Sequence, residues 1–197
     1  TGCLSPTEGT VRIGGFDILE EPRKAKHLLG YLPEQPPLYL GETPEEYLQF
    51  VGAAKGLRGA ELRRQVEDAV ERTGLPPVRH QLIGTLSKGY RQRVGIAQAL
   101  LGEPKVIILD EPTVGLDPLQ TIEIRQLIRD LGERHTVILS SHILSEVQTL
   151  CQQVLILSRG KLVAFDTPEA REKRMRAEQS DLFRVRTDRE TAEAVLA

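Results

Sequence analysis

Residues 86–118, LSKGYRQRVGIAQALLGEPKVIILDEPTVGLDP, restrict the fold more than any other stretch. A capped helix is followed within a few residues by an apolar strand that ends in two carboxylates. Ser87 is suited to N-cap a helix in which Tyr90, Val94, Ala97 and Leu101 fall on one face. Gly89 leaves the first turn unhindered, and the free N–H groups there, with Lys88 beside them, suit a phosphate oxygen. After Glu103-Pro104 breaks the helix, Lys105 to Leu109 is apolar without alternation, as expected of a parallel strand covered on both faces. Asp110 and Glu111 then emerge at the carboxyl end, where open α/β sheets bind ligands. Adjacent carboxylates on a strand point to opposite sides, which predicts separate roles. One can hold Mg²⁺, usually through water, and the other can orient and deprotonate an attacking water.

The composition is that of an ordinary globular chain. Its 197 residues, 40% hydrophobic and 27% charged, suffice for one domain with an appendage. A net charge of −2 gives no general attraction to nucleic acid, and none is expected as a partner. Cys3 and Cys151 are the only cysteines and lack metal-ligand neighbours, so they read as reduced thiols of a cytoplasmic protein. The runs VIIL and VLIL fall far short of the ~18 apolar residues that span a bilayer, and the sequence opens without a signal-peptide pattern. Any membrane work would need a partner.

Along the chain, Thr1 to Leu4 reads as the last turn of a helix, and Thr10 to Ile13 and Phe16 to Ile18 as strands about a Gly14-Gly15 turn. A short helix over Glu21 to Lys26 precedes a strand, His27 to Leu32, that stops at Pro33. Gln35 comes next in YLPEQPPLY, a loop glutamine before a polyproline turn. Thr43-Pro44-Glu45-Glu46 has the pattern of a capping box, opening a helix with Tyr47, Phe50, Val51 and Ala54 at helical spacing. A second helix, Ala60 to Thr73, has Leu62, Val66, Ala69 and Val70 as its buried stripe and Gly74 beyond its end. Tyr47 and Phe50 read as core of this helical segment in preference to a ligand-stacking pair. Asp117-Pro118 can cap a helix with Ile124, Leu127, Ile128 and Leu131 inside. Thr136 to Leu139 is the next strand, with Ser140-Ser141-His142 at its carboxyl end on the same rim as Asp110. A helix with Ile143, Leu144, Val147 and Leu150 precedes a hairpin about Ser158 to Lys161. Beyond them, a helix from Thr167, a basic run that reads as a solvated face, a strand over Asp181 to Thr187 and a short helix are expected.

LSKGY, VIILDEP and GLDP, in this order and at this spacing, resemble the signature, Walker B and D-loop series of the ATP-binding cassette (ABC) ATPases. YLPEQPPLY resembles the Q-loop and His142 the H-loop histidine of the same family, so the likeness runs from residue 5 to about 170. It implies an α/β fold of the P-loop NTPase kind, with a mostly parallel sheet, an antiparallel β part and an inserted helical lobe at 41–85. Residues 1–170 would be the nucleotide-binding domain without its P-loop, and 171–197 the start of a C-terminal extension. No GxxxxGK[ST] motif occurs in the sequence, and SPTEGTVRIGGFDI resembles the segment that lies directly after the P-loop helix in the family. The resemblance therefore places the first strand and phosphate loop upstream of Thr1. We read the chain as a portion of a longer protein, inactive by itself, in preference to a protein that lost ATP binding.

By that likeness the function is a Mg²⁺-dependent ATPase motor subunit acting as a head-to-tail pair, most similar to bacterial exporter subunits. Its expected place is the inner face of the cell membrane, held by a transmembrane permease at the surface near Pro36, Pro37, Leu38 and Tyr39. Glu111 would be the general base and His142 a γ-phosphate contact. Asp110 and Gln35 would serve Mg²⁺, with Gln35 also at the attacking water. Ser87, Lys88 and Gly89 would meet the nucleotide held by the partner subunit. Asp117 is a helix cap, a contact across the dimer, or both. Lys88 and Tyr90 stand where the commoner signature has glycine and glutamine. A soluble non-transport ABC ATPase and a nucleotide-inert domain are the alternatives.

Overall fold

The computed structural model describes Gly2 and residues 4–166. The chain divides into two compact units, Thr1–Ile143 and Leu144–Ala197. In the first, the order is β1 (Arg12–Ile13), β2 (Phe16–Asp17), α1 (Pro22–His27), β3 (Leu29–Leu32), α2 (Pro44–Ala54), α3 (Gly59–Arg72), α4 (Lys88–Leu100), β4 (Val106–Asp110), α5 (Pro118–Gly132) and β5 (Thr136–Ser140). Strands β3, β4 and β5 form a parallel sheet with β4 in the middle, and β1 and β2 form a separate antiparallel hairpin. The fold is thus mixed α/β. Both Gly14 and Gly15 have positive φ, 58° and 90°, the conformation a two-residue hairpin loop requires. Of the opening tetrapeptide only Gly2 and Leu4 are described, and neither is helical.

Helix α2 starts where its capping chemistry dictates. Thr43 Oγ1 accepts from the Glu46 N–H at 3.3 Å while Glu46 Oε2 accepts from the Thr43 N–H at 2.9 Å, and Pro44 occupies the first turn. The same Thr43 bonds hold the Glu46 carboxyl below its usual range. Arg79 joins α2 to α3 by bonding Glu45 at 3.1 Å and Glu67 at 2.9 Å. Between the two helices lie Tyr47, Leu48, Val66, Ala69 and Val70, with Val94, Ala97 and Leu101 of the α4 segment closing the same cluster. Phe50 does not join it. It is 54% exposed, because the buried face of α2 runs through Pro44, Tyr47, Leu48 and Gly52, and Phe50 instead meets the Tyr39 ring at 5.3 Å.

Helix α4 is therefore buried on two sides. Its lobe side carries Val94 and Ala97, and its other side approaches β3 closely enough that a Cβ on Gly30 would overlap the Ala99 carbonyl oxygen. A Cβ on Gly95 would lie 2.6 Å from Leu32 Cδ1. Among the described residues the sheet is buried on one face only. Gly30, Leu32, Ile107 and Leu109 are closed off, whereas Leu29, Tyr31, Val106 and Ile108 are half-exposed and Ile138 is 52% exposed. Cover on both faces of β4 was expected; among the described residues α4 fills one face, and the β4 alternation of buried and half-buried residues reflects that.

Taken by itself, the second unit contains α6 (Leu144–Leu150) and the antiparallel pair β6 (Val154–Ser158) and β7 (Lys161–Asp166). Arg159 and Gly160 turn the hairpin with φ of 49° and 73°. Cys151 is a half-buried free thiol whose titration burial pushes up. The elements expected beyond 166, and a boundary near 170, lie outside the described residues.

This packing has two measurable consequences. Gly30→Ala should destabilise the protein by on the order of 1–3 kcal/mol, since the clash is with backbone and not with a pliable side chain. Gly132→Ala, in open space, should not, and urea unfolding of the two variants measures the contrast. Lys55 Nζ donates to the Gln98 and Leu101 carbonyls at 3.0 and 2.8 Å, and burial pushes its titration from 10.5 down to about 8. Between those values the unfolded chain binds more protons than the folded one, so unfolding free energy should rise with pH from about 8 to 10.5. Lys55→Met should flatten that rise relative to the parent when stability is measured across the same window.

Candidate active site

Parallel register sets the geometry of the rim. Leu32 pairs with Leu109, and Asp110 pairs with Ser140, so the chain leaves β3, β4 and β5 at one carboxyl edge carrying Gln35, Asp110-Glu111 and Ser140-Ser141-His142 respectively. This is the edge at which parallel sheets of this kind bind ligands.

Asp110 is the last residue of β4 and lies on the open face of the sheet. Its Oδ1 accepts from Ser140 Oγ at 2.5 Å. Glu111 has left the strand. Its φ is +46°, in the left-handed region that costs a non-glycine residue about 1–3 kcal/mol and that clusters at functional sites. The two acids are therefore separated by a backbone turn and not by the simple strand alternation expected of them. The turn is held because the Glu111 N–H donates to both Ser140 O at 3.2 Å and Ser140 Oγ at 3.1 Å. It also directs the Glu111 side chain to His142, whose Nδ1 lies 3.0 Å from Oε2. An ionised carboxylate only accepts, so Nδ1 carries the proton of this bond. Glu111 is largely sheltered, with 21% of its side chain exposed, whereas the imidazole is 67% exposed and offers Nε2 to solvent.

Gln35 sits exposed three residues past β3 and makes no hydrogen bond among the described residues. Such a free amide at the rim is available to a ligand.

The second group of predicted residues gathers elsewhere in the unit. Ser87 caps α4, accepting from the Tyr90 N–H at 3.3 Å, and Asp117 caps α5, accepting from the Gln120 N–H at 2.9 Å. The two helix starts touch. Gln120 lies over Gly89, where a Cβ would stand 2.7 Å from its Cδ, and the Lys88 ammonium lies over Gly115, whose φ is +66°. Lys88 forms no ion pair among the described residues and is exposed, a cation beside the amide-rich start of a helix. No hydrogen bond among the described residues joins this group to His142 or the acidic pair. The acidic strand edge and the cationic helix start are thus two groups, each held by its own local contacts.

Sequence reasoning did not single out Ser140, Gln120 or Gly115. Ser140 had a signal, a hydroxyl residue at the end of a buried strand on the rim of Asp110. Gln120 and Gly115 become visible only once α4 and α5 are placed together.

As to a cation, no group of three or more His, Cys, Asp or Glu capable of holding a metal occurs among the described residues. Zinc or calcium cages are poorly matched by a single rim aspartate. Mg²⁺ fits, since it keeps several waters and takes one or two carboxylates together with substrate phosphates. The free Oδ2 of Asp110 is the oxygen that Ser140 leaves available.

Comparison with known proteins bears on the family and the fold. The ABC transporter family profile matches residues 1–114. An uncharacterised ABC transporter ATP-binding protein, YxlF of Bacillus subtilis, is 38% identical over 82% of this chain and 53% of its own length. The linearmycin resistance ATP-binding protein LnrL of the same organism is 34% identical over 85% of this chain and 54% of its own. The chain thus spans about half the length of these relatives. Among solved structures, cbiO1 of Clostridium perfringens, part of the ABC transporter complex cbiONQ, superposes with a TM-score of 0.79 at 28% identity. That match covers 93% of this chain and 76% of cbiO1. The profile match, the relatives and the shared fold together show that the chain belongs to the ABC transporter family.

Proposed function

We propose that this chain is the greater part of the ATP-hydrolysing domain of an ABC exporter motor, which works as a head-to-tail pair on a transmembrane permease. The observation that carries the reading is the strand edge, where a strained Glu111 is hydrogen-bonded to His142 next to an Asp110 with one oxygen free. A base, its orienting imidazole and a hard cation ligand on one rim constitute the apparatus of phosphoryl transfer to water.

When bound, Mg²⁺ neutralises charge on the terminal phosphates. The protein's own groups do the rest. Asp110 offers its free oxygen to the hydrated cation, and Gln35 turns its amide to the same place. Glu111 takes the proton of the attacking water at its carboxylate, while His142 Nδ1–H keeps that carboxylate aimed. In this reading Nε2 of His142, exposed to solvent, is the ring nitrogen left to face the γ-phosphate. Ser87, Lys88 and Gly89 belong to the opposite face of the partner's nucleotide, and no hydrogen bond among the described residues joins them to the acidic edge of their own chain. The phosphate loop, absent from the 197 residues, is supplied in this reading by residues ahead of Thr1.

The permease contact is assigned to an exposed apolar surface. Tyr39 is 51% exposed and packs edge-on to Tyr47 at 5.8 Å, and Leu40 and, on α2, Phe50 extend the exposed patch. No helix among the described residues is long and apolar enough to cross a membrane, so in this reading the subunit reaches the bilayer's cytoplasmic face through that partner. The relative named for linearmycin resistance supports export as the direction.

Glu111→Gln in the full-length gene product should retain ATP binding and accumulate as an ATP-bound dimer in size-exclusion chromatography. Its turnover should fall by ~10²- to 10⁴-fold, the contribution of a positioned general base. Rapid multiple turnover by that variant would remove Glu111 from the role.

A further inference from the structure

Ser140 occupies a position that no motif assigned to it. It ends β5 directly opposite Asp110 in the parallel register. Its hydroxyl has two partners, Asp110 Oδ1 at 2.5 Å and the Glu111 N–H at 3.1 Å. The direction of both bonds is determined by chemistry. A backbone N–H can only donate, so the hydroxyl oxygen accepts from Glu111 and its proton is left for the Asp110 carboxylate. One side chain therefore grips the backbone of one acid and the carboxylate of the other. The Ser140 carbonyl, 3.2 Å from the same N–H, adds a second acceptor beneath the left-handed Glu111.

We propose that Ser140 is a positioning residue for the hydrolytic step, holding Asp110 so that Oδ2 faces the cation and holding the Glu111 turn that aims its carboxylate at the water. This rests on the reading of Asp110 and Glu111 given above. In this assignment the residue acts through the two acids that its hydroxyl bonds. It is exposed at the strand end, so the fold depends little on its hydroxyl, and the variants test orientation more than stability.

The test uses the full-length gene product with Ser140 replaced by Ala, Thr and Val, and with Glu111→Gln alongside. Ser140→Ala should lower kcat by ~10- to 100-fold, the usual cost of removing a partner that orients a metal-site ligand. The KM for ATP should stay the same and the Mg²⁺ activation curve should move to higher concentration. Threonine should restore the rate, whereas valine, which has the same shape without the hydroxyl, should not. Without nucleotide, the Glu111 amide should exchange its hydrogen faster in the Ala and Val variants than in the parent or Thr variant, at unchanged thermal midpoint. Normal kcat and Mg²⁺ dependence in Ser140→Ala, or equal behaviour of the Thr and Val variants, would overturn the assignment of Ser140 while leaving Glu111 in place. Full turnover by Glu111→Gln would instead remove the reading on which the assignment rests.

Discussion

The pairing of β4 with β3 on one side and β5 on the other is the constraint on which the site depends. Five residue pairs align Val106–Asp110 with Thr136–Ser140, and four align β3 with β4. Because parallel strands end at one edge, residues far apart in sequence arrive together without any further device. A slip of one residue would turn the open-face Asp110 toward the buried side and take it from Ser140. Ile107 and Leu109 resist that slip, since both are fully buried and would have to exchange places with half-exposed neighbours.

The sheet is positioned in turn by α4, which carries the LSKGY start. Gly30, Gly95 and Ala99 let helix and strand approach to backbone distance, while Val94 and Ala97 fix the opposite side of the helix in the lobe. Lys55 reinforces the join by donating from Nζ to the Gln98 and Leu101 carbonyls at the end of α4, although burial there lowers its titration. Arg93 extends it, bonding the Thr73 carbonyl at 2.9 Å and Glu123 of α5 at 2.7 Å. These bonds tie the lobe to α4 and, through Arg93, to α5.

Much of this was legible in the amino-acid sequence because local chemistry wrote it there. Thr43 with Glu46, Ser87 and Asp117 cap the helices they were expected to cap, and the Gly14-Gly15 and Arg159-Gly160 turns fall between the strands they join. The features that were not legible depend on neighbours distant in sequence. Phe50 has the spacing of a core residue, yet the buried face of α2 runs through Tyr47, Leu48 and Gly52, and Phe50 stays at the surface against Tyr39. The apolar β4 run gives no sign of which of its faces is covered. The turn at Glu111 is imposed by acceptors on Ser140, 29 residues away, and strand alternation alone led to the wrong geometry for the acid pair. The meeting of Lys88 and Gly89 with Gly115 and Gln120 likewise emerges only from the packing of α4 against α5.

That grouping is the centre of the proposal that two chains complete one site. Mixing two inactive full-length variants, Glu111→Gln and Gly89→Asp, before adding ATP tests it most directly. If the acidic edge of one subunit works against the helix start of its mate, the mixed dimer contains one intact site, and ATPase activity should reappear on mixing. If activity stays as low as in either variant alone while exchange of labelled subunits proves that mixed dimers form, both surfaces serve the same chain and the account is wrong.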